Sequence, residues 1–261
     1  MNRTRILTAL VLLPVLILYV MYLPPLFFLL LLMAVALIGQ TEFYALYGIK
    51  KGYRTLGLIF GASLMLLIFR DGAAPDDYFA VLFITVAVIR LFSDRSPGGS
   101  TRDVSIMTIG IIYVPLLLSY MTKLREFGPQ WVLYLLGSVW CSDSCAYFIG
   151  RSFGKVKLYE TMSPNKTMAG AFGSIAGGLI MSLFLNIVLN LGLSTLSSAL
   201  IGSMIGFVTI IGDLIESMFK RDSGMKDSGD LIPGHGGILD KVDGMVLASP
   251  VLYWTVIRIV I

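Results

Sequence analysis

The feature that most constrains this chain is a recurrence of apolar runs, each close to the length of one bilayer crossing. They cover residues 6–20 and then about 26–47, 55–69, 78–92, 104–121, 130–149, 171–191, 195–215 and 244–261, nine in all. A hydrocarbon slab about 30 Å thick takes roughly 20 apolar residues per helical crossing, and backbone groups in lipid must be satisfied within the span, which selects helices. Nine crossings use most of the 261 residues and leave short connections. The expected fold is therefore all-α: a polytopic integral membrane protein of about nine transmembrane helices, residues 1–261 forming a single membrane-embedded domain. Composition points the same way, since 56% of residues are hydrophobic and only 14% charged, where a soluble domain carries about a quarter. Met1-Asn2-Arg3-Thr4-Arg5 and the run after it resemble a secretory signal, but no small-residue cleavage site precedes Pro24-Pro25, so the run reads as a retained first span.

Charge placement tests the count. With nine spans, alternate assignment of the loops puts 16 of the 20 Lys and Arg residues on one side and 4 (Arg70, Lys123, Arg125 and Arg258) on the other. Cytoplasmic loops hold the excess of basic residues, so the N-terminus is expected in the cytoplasm and the C-terminus outside. The net charge of +4 is dispersed and lacks the concentrated basic stripe of a nucleic-acid binder. Both long polar loops, 150–170 and 216–243, fall on the cytoplasmic side, and any chemistry is expected there.

An acidic residue inside a span costs roughly 2.5 to 3.5 kcal/mol at the helix centre and is a functional candidate by default. Asp143 and Asp213 qualify. Asp213, Glu216, Ser217 and Lys220 fall at offsets of 0, 3, 4 and 7, one face of a helix. Residues 213–243 hold seven of the 16 acidic residues. Asp240 and Asp243 share a face where the last span opens and could meet Asp213. Three carboxylates without thiolates or imidazoles suit a hard, oxygen-seeking ion, above all Mg²⁺, and two-metal clamps in phosphoryl chemistry allow a second cation. The plainer alternative is a solvated, self-paired loop. With one histidine, His235, a zinc site is not expected. Cys141 and Cys145, one turn apart, read as small buried side chains.

Pro233-Gly234-His235-Gly236-Gly237 interrupts the acidic groups. Glycines permit positive φ and let backbone N–H groups converge on an anion; the bare pattern could be only a turn, but set between Lys220, Arg221 and Lys226 on one side and Asp240 and Asp243 on the other it reads as a phosphate cradle. His235 could donate to a phosphate or act as acid or base; a structural hydrogen bond is the other reading. The second loop, with Arg151, Lys155, Lys157 and Ser163-Pro164-Asn165-Lys166-Thr167, offers donors for a polyphosphate. The anionic cytoplasmic leaflet explains Arg151, Lys155 and Lys157 equally well; Lys166 is the preferred phosphate ligand. Gly57/Gly61, Gly173/Gly177 and Gly202/Gly206 have the small-xxx-small spacing of closely packed membrane helices. Pro14, Pro115 and Pro250 inside spans read as kinks.

From about residue 140 onward, these motifs resemble the phosphatidate cytidylyltransferases, also called CDP-diacylglycerol synthases. The resemblance rests on Ser217-Met218-Phe219-Lys220-Arg221, Lys226-Asp227, the Pro233–Gly237 turn and Asp240-Lys241-Val242-Asp243, with Gly212-Asp213, Asp143-Ser144 and Ser163–Thr167 upstream. Lys241 stands where the family has arginine, and Ala169 where it has glutamate. The resemblance implies the reaction CTP + phosphatidic acid giving CDP-diacylglycerol + pyrophosphate, with Mg²⁺, in a bacterial inner membrane, and it is compatible with a homodimer. It implies a division into residues 1–130, a lipid-facing scaffold, and 131–261, the active-site half. The catalytic candidates are Asp213, Lys220, Lys226, Asp227, His235, Asp240 and Asp243. Substrate binding falls to Ser163, Asn165, Lys166, Thr167, Ser217, Arg221, Gly234, Gly236 and Gly237, and metal binding to Asp213, Asp240 and Asp243, aided by Asp143.

Two competing readings are another membrane transferase acting on a lipid phosphate or polyprenol, and a cation-coupled transporter using Asp143 and Asp213. No internal repeat is detectable, and the polar groups concentrate at one membrane face, where a transport site would lie nearer the midplane.

Overall fold

The computed structural model describes residues 3–94, 96–229 and 236–260. All nine apolar runs lie on helices: α1 (Arg3–Tyr22), α2 (Pro25–Leu46), α3 (Lys51–Asp71), α4 (Tyr78–Ser93), α5 (Ser100–Ile111) continued by a π turn (Ile112–Leu116) and α6 (Leu117–Glu126), then α7 (Pro129–Phe153), α8 (Met168–Val188), α9 (Thr195–Asp222) and α10 (Leu239–Val260). Among the described residues, seven helical segments have the length and hydropathy of a crossing: α2, α3, the continuous Ser100–Glu126 rod, α7, α8, α9 and α10. At 16 residues, α4 is shorter. The chain is thus a largely helical polytopic membrane protein. One departure from all-α is a small antiparallel hairpin, β1 (Lys157–Tyr159) with β2 (Ser163–Thr167), which pairs Lys157 with Thr167 and Tyr159 with Ser163. It orders the first of the two long polar loops.

Helix boundaries follow local chemistry. Pro25 and Pro129 open α2 and α7, where a missing N–H costs nothing. Gly72 ends α3 at φ 76°, its N–H bonded to the Ile68 carbonyl, a left-handed cap that favours glycine. Thr167 and Ser194 cap α8 and α9 by accepting from the N–H groups of Gly170 and Ser197. The expected kink at Pro115 takes the form of the π turn, because proline removes one ladder bond and crowds the preceding turn.

The glycine spacings operate as packing devices. A Cβ on Gly173 or Gly177 of α8 would lie 2.9 or 2.8 Å from the Cys145 or Cys141 carbonyl of α7, and one on Gly206 of α9 would lie 2.5 Å from the Ser174 carbonyl of α8. Helices α7, α8 and α9 therefore pack backbone to backbone. Gly57 receives the Tyr44 ring and Gly61 the Gln40 side chain from α2. Tyr44 donates to the Met107 carbonyl at 2.8 Å, and Gln40 donates to Tyr44 and to the Gly57 carbonyl, both at 2.9 Å, so this buried polar cluster is largely satisfied internally.

Contacts between connections divide the bundle into two ends. At one, Lys50 pairs with Asp94 at 2.7 Å, Tyr47 donates to Asp222 at 3.0 Å, and Arg221 donates to the Met162 carbonyl at 3.3 Å. At the other, Arg125 donates to the Leu23 carbonyl. At the first end, the Lys50 ammonium holds the Asp94 carboxyl below its ordinary range.

Candidate active site

The site is assembled where α9 and α10 converge with α7, α8 and the hairpin. Gly212 of α9 lies against the start of α10: a Cβ there would be 2.5 Å from the Asp243 carbonyl and 3.2 Å from the Gly244 Cα. This close approach sets Asp243 beside Asp213. One turn along α9, Glu216 joins them, and a carboxylate oxygen from each of Asp213, Glu216 and Asp243 lies within 4.8 Å of the other two. Glu216 is almost fully buried, and among the described residues its Oε1 has no hydrogen-bond partner. An unpartnered buried carboxylate oxygen is costly, and three convergent hard oxygens are a donor set that could hold a divalent cation.

Asp240 has a different occupation from the one expected. Its Oδ1 accepts from Lys220 Nζ at 2.7 Å, and its Oδ2 accepts from the N–H of Gly237 at 2.8 Å, the N–H of Ser228 at 3.2 Å and the Ser228 hydroxyl at 2.9 Å. Lys220 also donates to Glu216 Oε2 at 2.8 Å. Lys220 is therefore a bridge that ties Asp240 to the acidic cluster, while Glu216 takes the third place in the cluster that the sequence reading gave to Asp240. From the hairpin, Lys166 reaches Asp213, with Nζ 2.7 Å from Oδ2.

These groups face a cavity of about 690 Å³. Thirteen of the sequence candidates line it: Asp143, Ser163, Asn165, Lys166, Thr167, Asp213, Ser217, Lys220, Arg221, Lys226, Asp227, Asp240 and Asp243. Arg151, Tyr147, Gly150, Gly170 and Glu216 line it as well. Gly236 and Gly237 are not among the lining residues but lie against Asp240, which is. Gly236 has φ 80°, and a Cβ there would lie 2.5 Å from Asp240 Oδ2, so this position requires glycine both for its backbone and for the room it leaves. Gly234 and His235 lie outside the described residues. Cys141 and Cys145 are partly buried free thiols, their sulfurs 4.0 Å apart.

Two residues of this neighbourhood lie outside the candidates that the sequence offered. Glu216 was placed on the right helix face but not among the ligands; its i+3 offset from Asp213 was the available signal. Glu42, on α2, accepts from the N–H groups of Ile238 and Leu239 at 2.9 and 2.8 Å. No local pattern marks a contact between residues 196 positions apart.

An acidic cluster, a cationic rim and a membrane-embedded frame in one cavity suit chemistry between an anionic nucleotide and a lipid phosphate. Comparison with known proteins bears on the same point. The model of the cytidylyltransferase family matches residues 3–259. The chain is 33% identical over 193 residues to the phosphatidate cytidylyltransferase of Thermotoga maritima, covering 72% of this chain and 70% of that one. It is 30% identical over 260 residues to the phosphatidate cytidylyltransferase of a Synechocystis species, covering 86% and 87%. With the match running through nearly every helix and through all the described residues that line the cavity, the chain belongs to the cytidylyltransferase family.

Proposed function

We propose that this protein condenses CTP with phosphatidic acid to give CDP-diacylglycerol and pyrophosphate at the cytoplasmic face of a bacterial inner membrane. The observation that carries this reading is the single cavity in which the Asp213–Glu216–Asp243 cluster meets Lys166, Arg221 and Lys226 beside a membrane-spanning frame. Phosphatidate already presents a phosphate nucleophile, so little proton abstraction is needed and catalysis is mainly alignment and charge neutralisation. An oxygen of the lipid phosphate attacks the α-phosphorus of CTP, the new P–O bond forms, and the bond to pyrophosphate breaks.

Asp213, Glu216 and Asp243 would hold Mg²⁺, with Asp143 on the same cavity wall. When bound, the ion supplies Lewis-acid stabilisation of the charge that gathers on the phosphoryl oxygens. Lys166, Arg221 and Lys226, with the hydroxyl and amide groups of Ser163, Asn165 and Ser217, bind and orient the phosphates. Lys220 bridges Glu216 and Asp240, offsets one of their two negative charges and keeps the carboxylates fixed. The acyl chains stay in the bilayer. The cytoplasmic N-terminus, external C-terminus and nine crossings rest on the 16-to-4 division of basic residues, and the loop contacts at the two ends of the bundle support the same partition.

The test is incubation of purified protein with labelled CTP and phosphatidate, with and without Mg²⁺. A CDP-lipid that forms only with a divalent cation is the expected result. Turnover of a UDP-sugar or polyprenol without CDP-lipid would replace this reading with that of another lipid-phosphate transferase.

A further inference from the structure

Glu42 belongs to α2, well outside the segment that carries the site motifs, yet its side chain ends at the start of α10, beside Ser228. It is 8% exposed. Oε1 accepts from the N–H of Ile238 and Oε2 from the N–H of Leu239, two of the donors that the first turn of α10 leaves without intrahelical partners. Its negative charge suits that end of the helix dipole. The Ser228 hydroxyl lies 3.3 Å from Glu42 Oε2 and 2.9 Å from Asp240 Oδ2, so one hydroxyl joins the two carboxylates. Glycine makes the seat: a Cβ at Gly229 would lie 3.1 Å from Glu42 Oε1, and one at Gly237 would collide with both Oε2 and the Ser228 hydroxyl.

We infer that Glu42 is a positioning residue for the cytidylyl transfer: it fixes Ser228 and the start of α10, and so holds Asp240 on Lys220 and Asp243 beside Asp213. This deepens the proposed reaction and rests on it. Glu42 touches no reacting atom; it acts through Ser228 and the backbone of residues 237–239. The N-terminal half thereby contributes to the geometry of the site as well as to the frame.

The test uses the full-length protein in detergent or lipid. In Glu42→Gln, side-chain size is kept, but an amide NH₂ is turned toward a backbone N–H that needs an acceptor. The expected result is a fall in kcat of about tenfold or more, faster amide exchange at residues 237–240, unchanged protection in α9, and a melting temperature close to wild type. Glu42→Asp, which keeps the charge, should recover part of the loss. Ser228→Ala removes only the shared hydroxyl and should lower kcat in the same direction, which carries the test if Glu42→Gln does not fold. Wild-type kcat in either folded variant, or a loss that merely follows the fraction of folded protein, would overturn the assignment. Absence of CDP-lipid from the wild-type protein would instead refute the reaction itself, and the exchange measurement would still report whether Glu42 orders residues 237–240.

Discussion

Asp213 and Asp243 share their cluster with Glu216, whereas Asp240 is taken up by Lys220, Ser228 and Gly237. Neutral substitutions separate the two roles. Asp213→Asn and Asp243→Asn should each lower CDP-lipid formation by about a hundredfold or more, because charge stabilisation by a bound cation amounts to several kcal/mol. Asp240→Asn should reduce turnover yet leave the half-saturating Mg²⁺ concentration near wild type. A magnesium titration of the three variants decides between this and a direct ligand role for Asp240. Lys166 pairs with Asp213 on the cavity wall, and Lys166→Ala should raise KM for CTP by about tenfold, the scale of one charge-assisted hydrogen bond, with a smaller change for phosphatidate. The motif residues were legible because their spacing put them on one helix face or in one loop. The choice of Glu216 over Asp240 was not, since both stand at helical offsets from other carboxylates and only the rotation and approach of α9 and α10 separates them.

At the scale of elements, the site depends on how closely α7, α8, α9 and α10 approach. Gly206 of α9 faces the Ser174 carbonyl of α8, and that serine donates back to the Gly206 carbonyl at 2.9 Å. Forcing a larger residue into such a contact costs about 1–3 kcal/mol. Gly206→Val should therefore lower the melting temperature in detergent and the activity together, whereas an exposed alanine substitution such as Leu200→Ala, on the same helix, should leave both close to wild type. A thermal-unfolding comparison of the two checks this. Small-residue spacing announced close packing in the sequence, but not which helices would meet. The hairpin was read only as a polar loop. Its two short strands carry no strong period-2 apolar pattern, and its register depends on pairing Lys157 with Thr167, the residue that also caps α8.

For the whole molecule, the arrangement places the hairpin, the end of α9 and the start of α10 at one end of the bundle. If that end faces the cytoplasm, a single cysteine introduced at exposed Tyr159, in a background with Cys141 and Cys145 replaced by alanine, should react with an impermeant thiol reagent in inside-out vesicles. It should be protected in right-side-out ones; the opposite pattern would invert the topology. The sequence by itself determined the membrane-embedded helical class and the motif residues of one cavity. Hydropathy acts locally, and each run carries its own signal. Tertiary structure decided what depends on contacts between distant segments: the membership of Glu216 in the acidic cluster, the use of Asp240 as the partner of Lys220, and the reach of Glu42 from α2 to the start of α10. Those follow from the distances at which helices pack, which no single stretch of sequence contains.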